Sequence, residues 1–228
     1  MKNKLDRGLI LSCQPSGGDE YFYDLELIKR YSLAAEYGGA IAVRIEGVEA
    51  VRQVKEMNVL PIIGLIKRNR INSLLKRNIT TQISDVEQLF VAGADIVAID
   101  FTLRENGNPK YYKDLVKSIR NKFVELEILA DISTFEEAIM AEKSGVNYIS
   151  TTLAGYTHTT RNNDLPDVKL LNALTHSIKI PVVAEGGYWE KKHFEMARDT
   201  GCHLIVIGTA LTRPHEMLKT FNSIWSER

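Results

Sequence analysis

Val182-Val183-Ala184-Glu185-Gly186-Gly187 and, one segment later, Leu204-Ile205-Val206-Ile207-Gly208-Thr209-Ala210 decide the architecture. Each is a short apolar run rich in β-branched residues that stops at glycine. Continuous apolar runs of this length are the pattern of strands covered on both faces, as in parallel sheets. Glycines directly after such strands let backbone N–H groups approach an anion, and the following helix adds its positive end. Two neighbouring strands with this ending, one carrying Glu185 as its last residue, predict a phosphate cradle beside a carboxylate.

Working outward, strand and amphipathic helix alternate along the chain. Gly8–Cys13 reads as strand one, with a helix from Tyr21 to Tyr37. Strand two is expected over Ala40–Arg44 and its helix over Val48–Met57. Strand three spans Pro61–Lys67 and is followed by a basic loop, Arg68–Gln82, long for a βα connection. Ser84 and Glu87 have the spacing of a capping box, and strand four runs Asp95–Asp100. A helix begins at Pro109 and reaches about Arg120, strand five covers Glu127–Asp131, and Thr134 with Glu137 forms a second capping box. Strand six is expected over Asn147–Thr151, helix six over Asp167–Ser177, strand seven over Pro181–Glu185, helix seven over Trp189–Arg198 and strand eight over Leu204–Ile207. Pro214 stands in the first turn of the last helix, where its missing N–H costs nothing.

A repeat supports this division. Tyr37-Gly38-Gly39-Ala40, Ala92-Gly93-Ala94-Asp95, Ser144-Gly145-Val146-Asn147 and Thr200-Gly201-Cys202-His203 each end a helix at glycine and lead into an apolar strand. Eight strand–helix units predict an α/β fold of the (β/α)8 barrel type, with residues 1–228 as one domain. An open doubly wound sheet is the rival, but no GxGxxG follows an early strand.

Composition narrows the function. Lysine plus arginine and aspartate plus glutamate both number 29, so the formal net charge is zero and no nucleic-acid or acidic-membrane partner is expected. No apolar run approaches the ~18 residues of a membrane span. The opening Met1–Arg7 has no apolar signal core, so a cytoplasmic protein is expected. Cys13 and Cys202 are the two cysteines and lack CxxC spacing, and the five histidines are scattered, so no metal site and no disulfide is expected.

Active sites of such barrels sit at the C-terminal ends of the strands. Cys13, Gln14, Arg44, Lys67, Asp100, Asp131, Thr151, Glu185 and Gly208 stand there. Lys67, at the end of an apolar strand and near Arg44, has reason for a lowered pKa and could abstract a proton or form a Schiff base; otherwise it is the first cation of a solvated loop. Glu185 is read as catalytic, against a buried structural partner of an arginine or lysine. Asp131 is read as gripping a substrate hydroxyl, whereas Asp100 is read as a cap or rim ion pair. Gly186, Gly187, Gly208 and Thr209 are the phosphate-binding candidates, with Arg213 able to fork onto phosphate oxygens. Arg44 could hold a carbonyl, an acyl group or a hydroxyl, or pair with Glu185 or Asp131. Gln14 could hydrogen-bond an amide. A homodimer stays open; Trp189 and Trp225 could mark an interface, but packing inside the fold is preferred for both.

Together these motifs resemble a known family. Gly8-Leu9-Ile10, Ser12-Cys13-Gln14, Gly38-Gly39-Ala40 with Arg44, Leu60–Arg68, Ala92–Asp100, Ala130–Thr134, Gly155-Tyr156-Thr157, Ala184-Glu185-Gly186 and Thr212-Arg213-Pro214 are similar, in order, to N-acylglucosamine-6-phosphate (N-acetylmannosamine-6-phosphate) 2-epimerases. The resemblance implies a ribulose-phosphate-binding type of TIM barrel. It also implies interconversion of N-acetylmannosamine 6-phosphate and N-acetylglucosamine 6-phosphate in sialic acid breakdown, with an amino-sugar phosphate as partner and no cofactor. Lys67 would be the catalytic lysine and Glu185 its acidic partner. Gln14, Arg44, Asp131 and Tyr156 would bind substrate, and Arg213 with the glycine loops would hold phosphate. A Schiff-base aldolase on the same scaffold, or a barrel that senses a sugar phosphate without turnover, are the alternatives.

Overall fold

The computed structural model describes residues 4–14, 24–68, 78–104 and 108–226. Its elements run β1 (Gly8–Cys13), α1 (Leu25–Tyr37), β2 (Ala42–Glu46), α2 (Val48–Met57), β3 (Ile62–Leu65), α3 (Ile83–Val91), β4 (Ile96–Asp100) and α4 (Pro109–Lys122). They continue β5 (Glu127–Asp131), α5 (Phe135–Ser144), β6 (Tyr148–Ser150), α6 (Val168–Ser177), β7 (Val182–Ala184), α7 (Lys191–Asp199), β8 (Leu204–Ile207), α8 (Thr209–Thr212) and α9 (Pro214–Ser226). The eight strands are parallel and close in chain order, with β8 paired back onto β1 through Gly8–Leu204 to Leu11–Ile207. The expected (β/α)8 barrel is the fold observed.

Strand alternation makes two layers. Ile10, Ala42, Ile63, Ile96, Leu129, Tyr148, Val183 and Val206 fill the barrel interior. Their neighbours Leu11, Val43, Ile62, Val97, Ile128, Ile149, Val182 and Ile205 face outward into the larger core shared with the helices. Helices present matching stripes, such as Ile28, Ser32 and Ala35 on α1, spaced to lie on one face. The N-terminal segment plugs the bottom of the barrel: Leu5 joins the inner cluster, and its N–H donates to Tyr148 Oη at 3.1 Å. Lys4 N–H donates to Glu127 and Arg7 to the Cys202 carbonyl, so the N-terminal segment is tied to the starts of β5 and β8.

Several local expectations are corrected. β2 runs two residues further than expected, ending at Glu46, because Ala42, Arg44 and Glu46 continue one period-2 face. The Ser84–Glu87 capping box is absent; Gln82 precedes α3 and Asp85 instead accepts the Thr81 N–H at 3.0 Å. The Thr134–Glu137 box is present in both directions. Trp189 and Trp225 are 40% and 76% exposed, so neither packs into the core. The Tyr21 start of the first helix and residues 69–77 of the basic loop lie outside the described residues. Among the described residues no helix is long and apolar enough to cross a membrane.

Candidate active site

The C-terminal ends of the strands open on a cavity of about 370 Å³. Lys67 and Glu185 both line it, together with Gln14, Tyr156, Gly186, Gly187, Gly208, Thr209 and Arg213. Nine of the sequence-derived candidates thus converge on one space, although they come from five different strand ends. Arg44 and Asp131 are not brought to that space. Both side chains are fully enclosed, one layer beneath the cavity floor.

Their position follows from the register. Arg44 projects inward from the middle of β2 rather than from its end. Its guanidinium meets Asp131 with both terminal nitrogens, Nη2–Oδ2 2.6 Å and Nη1–Oδ1 3.0 Å. Nη1 also donates to Glu185 Oε2 at 2.9 Å. Burial disfavours the arginine charge, but Asp131 and Glu185 together outweigh it and hold Arg44 firmly cationic. Removing Arg44 would therefore leave two close carboxyls without their cation in the barrel interior.

Glu185 is clamped by the segment after β6. Thr151 Oγ1 donates to the Glu185 carbonyl at 2.8 Å and accepts its N–H at 3.0 Å, which fixes the backbone. Thr152 Oγ1 lies 2.6 Å from Asp131 Oδ1 and 2.9 Å from Glu185 Oε2, so its single proton serves only one of the two carboxyls at a time. The described hydrogen bonds of the Glu185 carboxyl, from Arg44, Ser150 and Thr152, all use Oε2. Burial raises the Glu185 pKa above the ordinary carboxylate range; the neighbouring Asp131 charge adds to this, while Arg44 and Lys67 pull against it. This carboxyl is suited to carry a proton and present it to a ligand.

Lys67 lies two residues beyond the end of β3, held by a returning strand. It bridges antiparallel to Ile79; Thr80 N–H donates to the Ile66 carbonyl at 2.8 Å and Asn78 N–H to Asp100 Oδ2 at 2.8 Å. Asp100 also accepts from Thr102 and pairs with Arg104, which matches the rim ion pair expected of it. The lysine ammonium sits 3.7 Å from Glu46 Oε2.

At the opposite side of the cavity, Gly186 and Gly187 adopt φ of 102° and 83°, and Gly208 precedes α8. Arg213 Nη1 is 3.4 Å from Thr209 Oγ1, so the arginine reaches over the same turn. Gly187 has a second reason for lacking a side chain: a Cβ there would stand 2.8 Å from Leu165 Cβ and 2.9 Å from Pro166 N. Tyr156 is placed between the two ends, electrostatically coupled to Arg213 and to Glu185, and burial raises its phenol pKa.

Sequence reasoning overlooked Glu46, Thr152 and Arg104, the last two of which also line the cavity. The signal for Glu46 was the alternation Ala42, Arg44, Glu46, cut short by ending the strand at Arg44. Thr152 lies past the strand in a short 3₁₀ turn and has no periodic signature. No group of three metal-ligating side chains occurs among the described residues.

The sequence model of the family described as "NanE: Putative N-acetylmannosamine-6-phosphate epimerase" matches residues 28–227. A protein of Caldanaerobacter subterraneus subsp. tengcongensis, named "Putative N-acetylmannosamine-6-phosphate 2-epimerase", is 38% identical over 225 residues, covering 99% of this chain and 94% of the relative. One of Clostridioides difficile with the same name is 36% identical and covers 97% of both chains. Among solved structures, the N-acetylmannosamine-6-phosphate 2-epimerase of Clostridium perfringens superimposes with a TM-score of 0.84 at 39% identity, over 95% of this chain and 92% of that one. A thiamine phosphate pyrophosphorylase of Pyrococcus furiosus, at 19% identity and a TM-score of 0.59, shares the fold alone. The chain belongs to the N-acetylmannosamine-6-phosphate epimerase family.

Proposed function

We propose that the protein epimerises N-acetylmannosamine 6-phosphate and N-acetylglucosamine 6-phosphate at C2. The observation that carries this reading is the shared cavity: an amine, Lys67, a carboxyl with a raised pKa, Glu185, and glycine turns with Arg213 all line it. Inversion at C2 of the open-chain sugar requires loss of the proton α to the C1 aldehyde and its return on the opposite face. Glu185 protonates the ring oxygen as the ring C–O bond at C1 breaks and takes up the C1 hydroxyl proton, so that it is protonated again. Lys67 then takes the C2 proton while Glu185 donates to the C1 oxygen as charge develops there. Phosphate held at Gly186, Gly187, Gly208, Thr209 and Arg213 anchors the far end, so that C1 and C2 can turn over Lys67 while the substrate stays bound. Gln14 and Tyr156 hold the acylamino and hydroxyl groups. Arg44 and Asp131 serve from below, keeping Glu185 in place rather than touching the sugar.

A coupled assay with N-acetylmannosamine 6-phosphate in deuterated water tests this. Product carrying deuterium at C2 is expected; turnover without label rules out the proton route. Borohydride with substrate separates the aldolase alternative, since only a Schiff base on Lys67 is trapped.

The setting in which the reaction is placed is a single-domain cytoplasmic enzyme, acting without cofactor on a small phosphorylated amino sugar. We also place it as a homodimer. α9 has no buried side chain, and Leu218, Phe221, Ile224 and Trp225 are 58% to 76% exposed. At the β1–β8 seam the outward-facing Leu9 is also 43% exposed. A second copy laying its α9 on that seam would cover both faces at once.

A further inference from the structure

Glu46 lies outside the set of residues that line the cavity, yet it sits directly behind the lysine that does the work in the reaction proposed above. Its side chain is 7% exposed and that of Lys67 is 16% exposed, with 3.7 Å between Oε2 and Nζ. That spacing is within ion-pair range and just beyond a hydrogen bond. The barrel dictates it: Glu46 pairs in register with Leu65, and Lys67 is two residues further along the same inward face. Enclosing two opposite charges in this way contributes little to stability, because desolvation offsets most of their attraction. A loose, nearly buried pair whose cation faces a cavity is better explained by what the cation does there.

We propose that Glu46 is a positioning residue for Lys67: it holds the amine against the cavity wall and steadies the ammonium each time Lys67 takes a proton from a ligand. Among the described residues, the other charges around Lys67 are engaged elsewhere. Glu185, at the end of β7, attracts Lys67 but is engaged by Arg44 and Thr152. Arg44, two residues before Glu46, is bound to Asp131 of β5 and to Glu185. Asp100 of β4 is tied to Arg104, and Arg68 to Asp85. Arg213 stands at the other end of the cavity beside Thr209. Gln14, after β1, and Asn78 and Ile79, in the segment bridged to Lys67, line the same cavity and carry no charge.

This inference rests on Lys67 as the base, so its test is read on the ligand-free full-length enzyme. Trace acetic anhydride is applied from about pH 6 to pH 11, and acetylation of Lys67 is followed by mass spectrometry in the wild type, Glu46→Gln and Glu46→Asp. Loss of the neighbouring anion in Glu46→Gln is expected to lower the labelling midpoint of Lys67 by about one pH unit, with Glu46→Asp between the two. With N-acetylmannosamine 6-phosphate as substrate, kcat is expected to fall at least about tenfold in Glu46→Gln while KM stays within about threefold, because Glu46 does not touch the cavity. An unmoved midpoint in folded Glu46→Gln overturns the proposal; should that variant not fold, an unmoved midpoint in Glu46→Asp does so. A midpoint that moves in an enzyme unable to epimerise the substrate keeps Glu46 as the partner of Lys67 and rejects the proposed reaction instead.

Discussion

Three side chains set the chemistry of the cavity. Lys67→Ala is expected to lower turnover by about 10²–10⁴-fold while leaving inorganic phosphate binding, measured calorimetrically, nearly intact, because the amine and the anion turns occupy different ends. The pH profile follows from Glu185. Its proton, held above the ordinary carboxylate range by burial, is present below its folded pKa and lost as pH rises through it. Reaction needs the Lys67 amine neutral and Glu185 protonated, so kcat/KM is expected to trace a bell whose two limbs belong to the coupled pair; Glu185→Gln should leave one limb only. A profile that keeps both limbs in that variant would reassign the acid. Arg44 acts differently. Arg44→Met strands Asp131 and Glu185 as two close buried carboxyls, at a cost of about 3–5 kcal/mol and a drop in Tm of roughly 10 °C by calorimetry.

Among elements, the glycine turns separate two causes that look alike in sequence. Gly187→Ala meets both a positive φ and the backbone at Pro166, so a stability loss of about 1–3 kcal/mol in urea unfolding is expected. At Gly208 a Cβ would make ordinary contact with Ser12 Cβ at 3.4 Å. Gly208→Ala should therefore fold normally and raise KM for the phosphorylated substrate; an unchanged KM would remove that turn from the anion site. Strand–helix alternation was legible because both faces of most strands are covered, which leaves unbroken apolar runs such as Val182–Ala184. Strand ends were less so. β2 terminates in Arg-Ile-Glu, and polar residues inside a barrel mouth look like the start of a loop unless their alternation is followed to Glu46. Convergence of Lys67 and Glu185 was readable from strand-end position alone. The layer of Arg44 and Asp131 was not, because a shift of two residues in β2 moves a side chain from rim to interior.

At the scale of the molecule, the apolar face of α9 and the exposed Leu9 at the β1–β8 seam make association the expected state. Sedimentation should give a dimer, and Phe221→Asp with Trp225→Asp should give monomers. A monomeric wild type would show that these exposed groups have another use. The seam has one more consequence. Gly8 pairs with Leu204, so the first strand waits for nearly the whole polypeptide before its second neighbour exists. At about 5–20 residues per second on the ribosome, that delay is roughly 10–40 seconds. Throughout it the nascent chain is an open fan with raw hydrogen-bonding edges, and the ring becomes a ring only when synthesis is almost over.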